Sequence, residues 1–152
     1  MELPPSAAHA LAEVAEALAA AEDDWWLIGG AAVALHGLAI PIADIDVLMS
    51  RRDIVRVIAR LGIEPVEGVA IDRIRSETWV RWTAPSLAVD LMTRLEVRTG
   101  EHWRRVAPGT RQAIGIEGRT LYVPTRPELV DILRLFGRPK DLERAEGLAR
   151  LP

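Results

Sequence analysis

The sequence predicts an α+β, or mixed α/β, fold: a mixed sheet with helices packed on it and a helical pair at the C-terminal end. Three observations lead there. Segments with helical spacing of apolar residues alternate with short strand-like runs, in the order helix, strand, helix, strand, helix, strands, helices. Two of those runs, ETWVRWT and LAVDLMT, are separated only by Ala84-Pro85-Ser86, the arrangement of an antiparallel pair. The 152 residues, 49% of them hydrophobic, suffice for one sizeable core, so positions 1 to 152 are read as a single domain.

The elements follow in order. After Pro4-Pro5, Ser6 is placed to cap a helix in which Leu11, Val14, Ala15 and Leu18 recur at helical spacing, until AEDD interrupts it. WWLIG reads as a buried strand that stops at Gly29-Gly30, and AAVALHG as a short helix ended by Gly37. DIDVLMS is a second strand. Ser50 and Asp53 form a capping box for a helix with Ile54, Val57, Ile58 and Leu61 on one face, closed by Gly62. Beyond the antiparallel pair, a helix is expected from about Gly100 to Val106 and a small strand at RTLYVP. Thr125 and Glu128 make another capping box for a helix lined by Leu129, Ile132, Leu133 and Phe136 and stopped by Gly137; a last helix runs from Pro139 towards Leu151.

Composition excludes several function classes. A formal charge of -3 and a pI near 5.7 give no basic field for indiscriminate capture of nucleic acid. The absence of cysteine removes disulfides, thiolate metal sites and thiol nucleophiles. MELPPSAAHA lacks a basic flank followed by an apolar stretch, and no run approaches the ~20 apolar residues of a membrane span, so the expectation is a soluble cytoplasmic protein with no membrane contact. Walker loops, G-x-G-x-x-G, H-E-x-x-H, G-x-S-x-G and EF-hand patterns are absent.

What remains is a set of acids in apolar surroundings. In a strand, Asp44 and Asp46 face the same way while Ile45 and Val47 face the other, with the two acidic Cα atoms roughly 6.5 to 7 Å apart. If their carboxylates came within about 4 Å at an effective dielectric of 20, the repulsion would be about 4 kcal/mol. A divalent cation removes that penalty, and oxygen ligands without cysteine point to Mg²⁺ or Mn²⁺. Asp90, set among Val89, Leu91 and Met92, has the same context on another strand. Three carboxylates on adjacent strands can bridge two metals about 3.5 to 4 Å apart, the separation that suits phosphoryl chemistry. Gly29 and Gly30 fit the same picture, because a turn without side chains at a helix start exposes backbone N–H groups to phosphate oxygens.

In this order, Gly29-Gly30, Asp44-Ile45-Asp46 and Asp90 resemble the signature of the polymerase-beta-type nucleotidyltransferase superfamily. The tail VPTRPELVDILRLFGRPKDLERAEGL resembles the ending of small bacterial nucleotidyltransferases related to abortive-infection and toxin-antitoxin systems, with GRPKDL, Gly137 to Leu142, the most family-like piece. The resemblance spans roughly Trp25 to Leu148 and implies a nucleotidyltransferase-like sheet. It implies metal-dependent transfer of a nucleoside monophosphate from an NTP such as ATP to an acceptor, which could be a protein, a tRNA or a small molecule. Carried over, Asp44, Asp46 and Asp90 are the catalytic metal ligands, for Mg²⁺ or Mn²⁺, with Asp90 also helping to deprotonate the acceptor. Gly29, Gly30 and Lys140 bind the nucleotide. Nucleic acid enters only as an acceptor, and the context is toxin-antitoxin or phage defence, with a homodimer mate or a toxin or antitoxin partner protein completing the site.

The chain departs from that pattern at Ile40 and Ile42, where relatives carry an arginine and a threonine, and at Arg134, where a lysine is expected. These departures motivate the alternative, a catalytically degenerate binding or antitoxin-like module acting through a partner protein. From the residues alone, Lys140 is equally a solvated side chain in the first turn of the last helix. His36 reads as a capping or surface residue, and Trp25 and Trp26 as one core and one partly exposed ring. Arg104, Arg105, Arg111, Arg126 and Arg138 read as a solvated basic bias in the second half.

Overall fold

A computed structural model describes residues 3–152. Its helices are α1 (Pro5–Ala17), α2 (Gly29–Leu35), α3 (Arg51–Leu61), α4 (Arg126–Phe136) and α5 (Pro139–Arg150). The sheet comprises β1 (Trp26–Ile28), β2 (Ile45–Leu48), β3 (Val66–Ile71), β4 (Ile74–Trp82), β5 (Val89–Thr93), β6 (Glu96–Thr99) and β7 (His102–Arg105). Its order is β1-β2-β5-β4-β6-β7, with β3 along the other edge of β4. Within it β2 and β5 are parallel and every other pair is antiparallel, which makes the sheet mixed, as expected. A separate hairpin joins β8 (Gln112–Ile116) to β9 (Arg119–Val123).

Two apolar clusters hold these layers together. The larger takes Leu11 and Val14 of α1, Val33 of α2, Ile45 and Val47 of β2, Val89 and Leu91 of β5, Leu121 of β9, Leu129 and Leu133 of α4, and Leu148 of α5. The smaller joins Ile28, Leu48, Leu95, Val97, Val106, Ile132 and Phe136. Helix α4 therefore serves both clusters, Leu129 and Leu133 facing one and Ile132 and Phe136 the other. No described helix is long and apolar enough to cross a membrane.

Several sequence expectations need correction. Helix α1 begins after Pro4, with Pro5 in its first turn, so Ser6 is not its cap; the Ser6 carbonyl accepts from Ser86 Oγ instead. Ser50 does cap α3, its Oγ accepting from the Asp53 N–H at 3.1 Å, but the box is not closed. The Asp53 carboxylate turns to accept the Glu22 N–H at 3.0 Å and the Asp23 N–H at 2.9 Å, tying the α1–β1 loop to α3. Glu128 likewise leaves the Thr125 box to bind the N–H groups of Gly109 and Thr110, each at 2.8 Å. The helix expected over Gly100 to Val106 is strand β7, because the chain reverses at Gly100 and pairs back on β6; Trp103 lies beneath the Arg75 guanidinium, 4.0 Å from its ring centroid. Strands β3, β6 and β8 are not among the strands the sequence predicts.

Asp53 is 2% exposed and carries two backbone donors from a distant loop, so its removal orphans both. Asp53→Ala is expected to lower stability by about 2 to 3 kcal/mol, read as a drop in the urea midpoint at constant m. A change within about 0.5 kcal/mol would refute this account of the loop.

Candidate active site

Register assembles the acids. Pairing of β2 with β5 sets Ile45 against Val89, Asp46 against Asp90 and Val47 against Leu91. Alternation then sorts them by face: the four apolar residues are at most 2% exposed in the larger cluster, and the two acids project from the opposite side. Asp44 stands immediately ahead of β2 rather than within it, yet it joins the same group. One carboxylate oxygen from each of Asp44, Asp46 and Asp90 lies within 4.8 Å of the other two.

The crowding is visible in proton affinity. Burial, and after it the negative charges of Asp44 and Asp90, push the Asp46 carboxyl up from 3.8 to about 7, against the opposing charges of Arg138 and Lys140. Asp90 is also raised, by burial first, but Arg81 and the Trp79 indole oppose that shift. An all-oxygen set without histidine or cysteine suits a hard divalent cation such as Mg²⁺ or Mn²⁺, whose charge at this spot would relieve the carboxylate repulsion that adds to burial in raising Asp46.

The glycine pair begins α2 itself and is not a loop ahead of it. Gly29 has φ +66, and a Cβ there would sit 2.7 Å from Asp46 Oδ2, so only glycine lets the helix start this close to the acid. Gly30 faces the guanidinium of Arg144, whose Nη1 would lie 3.4 Å from an added Cβ. The first turn of α2, with N–H groups lacking intrahelical partners, therefore lies between a carboxylate and a cation.

Helix α5 supplies the positive charge. Asp141, 2% exposed, accepts from Arg138 Nε at 2.6 Å and Nη2 at 3.2 Å, and the guanidinium lies over the Phe136 ring at 5.6 Å. Arg138, Lys140 and Arg144 line the cleft of about 280 Å³ that holds Gly29, Gly30, Asp44 and Asp46. Its apolar wall is formed by Ile28, Ile74, Met92, Leu95, Leu133 and Phe136. Lys140 thus faces the cleft rather than open solvent alone. The sequence singled out neither Arg138 nor Arg144 as a site residue, although Arg144 is four positions beyond Lys140, one helical turn along the same face. Ile40 and Ile42 pack against the larger cluster. His36 ends α2 and meets the Pro124 carbonyl at 2.8 Å; Trp25 is 3% exposed, whereas Trp26 is half-buried and donates to the Thr110 carbonyl.

Solved structures share this architecture. A Thermotoga maritima protein assigned to the nucleotidyltransferases superposes with a TM-score of 0.74 at 17% identity, over 98% of this chain and 94% of that one. The antibiotic-resistance factor ANT(2'')-Ia gives 0.60 at 12% identity, over 97% and 84%. The lincosamide antibiotic adenylyltransferase LnuA in its lincomycin-bound form gives 0.59 at 10% identity, over 94% and 96%. No family model and no curated sequence matches the chain. The fold is that of the nucleotidyltransferases.

Asp46 makes stability depend on pH in a defined direction. Between pH 3.8 and about 7 the folded chain keeps a proton that the unfolded chain has released, so this group's contribution is full below that window and is lost as pH rises through it. In metal-free buffer Asp46→Asn is therefore expected to exceed wild type in stability at pH 8 by more than about 1 kcal/mol, and to lose the advantage near pH 4. Equal denaturation curves at pH 8 would contradict it. Gly29→Ala, strained by its φ and by Asp46, is expected to cost about 1 to 2 kcal/mol in the same measurement.

Proposed function

We propose that this chain, built on the nucleotidyltransferase fold, transfers a nucleoside monophosphate from an NTP to the hydroxyl of an acceptor. The observation that carries the proposal is the meeting of Asp44, Asp46 and Asp90 within 4.8 Å, beside a glycine helix start and a cleft lined by Arg138, which caps α5, and by Lys140 and Arg144 within it. Asp44, Asp46 and Asp90 would hold a Mg²⁺ or Mn²⁺ ion, which would offset the crowded carboxylates and supply Lewis-acid polarisation of the α-phosphoryl group. Gly29, Gly30, Lys140 and Arg144 cradle the triphosphate, and Arg138, braced by Asp141, covers its flank. The base rests on the apolar wall of Met92, Leu95 and Phe136.

In this reaction the acceptor oxygen forms a bond to the α-phosphorus, the bond to the leaving pyrophosphate breaks, and the hydroxyl proton passes to a carboxylate oxygen of Asp90. Lys140 and Arg144 meet the charge that accumulates on pyrophosphate. The adenylyltransferase activity named for LnuA supports ATP as the donor, and the antibiotic context of LnuA and ANT(2'')-Ia favours a small-molecule acceptor over a protein or tRNA. A cytoplasmic protein with access to ATP, completed on the acceptor side by a second copy or a toxin-antitoxin partner, is consistent with this assignment.

A second reading rests on a specific feature: Ile40 and Ile42 bring neither a cation nor a hydroxyl to the nucleotide side. A degenerate module would bind a partner protein and turn nothing over.

Incubation of the protein with α-labelled ATP, Mg²⁺ or Mn²⁺ and a cell lysate is expected to label an acceptor. Asp44→Asn and Asp46→Asn should each cut labelling at least about a hundredfold. Equal labelling by wild type and both variants would dispose of the catalytic assignment, and a stable protein complex without any transfer would favour the binding module.

A further inference from the structure

We propose that the groove beside Asp90 takes an acceptor whose short apolar body carries a carboxylate as well as the reacting hydroxyl, and that Arg81 selects it. The proposal rests on the transferase reading above and names the acceptor's chemical class. The carboxylate cluster is divided between two depressions. Asp44 and Asp46 line the cleft with Gly29, Gly30 and Lys140, whereas Asp90 lines a neighbouring groove of about 220 Å³. Ile74, Met92 and Leu95 line both, so they form a shared wall. A nucleotide in the cleft and an acceptor in the groove thus reach the same three acids from two directions.

Apolar side chains from three strands make the groove. Pairing sets Val69 against Ser76 and Ile71 against Ile74 on β3 and β4, and Trp79 against Met92 on β4 and β5, and all six line it. Val69, Ile74, Trp79 and Met92 are half-buried and Ile71 is 67% exposed, which leaves apolar surface open to an occupant. The volume is below the ~300 to 1,000 Å³ of drug-sized sites and limits that occupant to about one ring or a short chain.

The charged groups decide what else it carries. Among the described residues that line the groove, Arg75 and Arg81 are cationic and Asp90 alone is acidic. Arg81 Nη1 donates to both Asp90 oxygens, at 3.0 Å to Oδ1 and 2.9 Å to Oδ2, so that acid already has its counter-ion. Arg75 is likewise paired, with Glu96 at 3.0 Å. An amine entering the groove would therefore find two guanidiniums and no unpaired acid. A carboxylate finds donors: Arg81 Nε and Nη2 have no partner among the described residues, the side chain is 44% exposed, and that edge of a guanidinium matches a carboxylate with two parallel N–H groups.

Trp79 supplies the reporter for a test, because its ring lines the groove and its indole N–H donates to Asp90 Oδ1 at 3.1 Å. Three one-ring phenols of different charge, para-hydroxyphenylacetate, para-hydroxyphenylethanol and tyramine, are titrated into the full chain with Mg²⁺ and a non-hydrolysable ATP analogue. The indole peaks of the 5 tryptophans are followed in a nitrogen–proton correlation spectrum, that of Trp79 being the one lost in Trp79→Phe. The acid is expected to move this peak with a Kd at least about tenfold below that of the amine, and the neutral alcohol to fall between them. Arg81→Gln should remove the preference for the acid with the other indole peaks in place, and Arg81→Met takes its role if the glutamine variant fails to fold. Equal or tighter binding of tyramine, no movement of the Trp79 peak with the acid, or a preference that survives in the folded Arg81 variant would overturn the inference. Absence of any transfer in the labelling experiment, with the acid still preferred, would overturn the transferase reading and leave the ligand class of the groove standing. Transfer with the amine preferred would overturn this inference alone.

Discussion

Parallel pairing of β2 with β5 places Asp46 beside Asp90 with Asp44 close behind, and this contact between like charges is the constraint around which the neighbouring elements are arranged. It is rigid, because the residues flanking the acids, Ile45, Val47, Val89 and Leu91, are locked in the larger core. A slip of one residue in either strand would bury a carboxylate and expose a core side chain, so packing on one face fixes charge on the other. The repulsion cannot relax by sliding and has to be offset by cations. Two sources face it: the start of α5, through its cap residue Arg138 and Lys140, and β4, through Arg81.

The part of this arrangement that was legible in the sequence is the part with local causes. Alternation around Asp44 and Asp46 put both on one face, and an acid amid Val89, Leu91 and Met92 marked the neighbouring strand. Helix ends at Gly62 and Gly137, both at positive φ, were readable because glycine meets a conformational need at each. Capping boxes were read one residue too literally: Asp53 and Glu128 stand at the right spacing, but distant backbone N–H groups outcompete the local donor for their carboxylates. Such competition depends on loops that arrive from 18 to 31 positions away, which no short window contains.

Strand β7 shows the same limit from another side. HWRR carries no alternation of its own, since His102, Arg104 and Arg105 are all exposed, and its extended form comes from pairing with β6. Strand β3 is also largely exposed and is held along β4, so neither face of it left a hydrophobic pattern to detect. Arg144 was missed for a different reason. An arginine on a helix is ordinary, and only the fold of α5 onto the start of α2 makes this one meet Gly30.

That contact also bears on the two isoleucines. The loop carrying Ile40 runs along α5, where Gly147 lies so near that a Cβ would come within 3.0 Å of Leu38. Ile40, Lys140 and Arg144 line one groove there, of about 460 Å³. An arginine at position 40 would add a further positive charge beside two already present and would draw an apolar loop towards solvent. With isoleucine the loop packs on the larger core, and α5 is held close enough for Arg144 to reach the glycine turn. A cation beside the glycine turn is thus present on the helix as Arg144, while Ile40 lines the groove next to it and both isoleucines spend their side chains on the core.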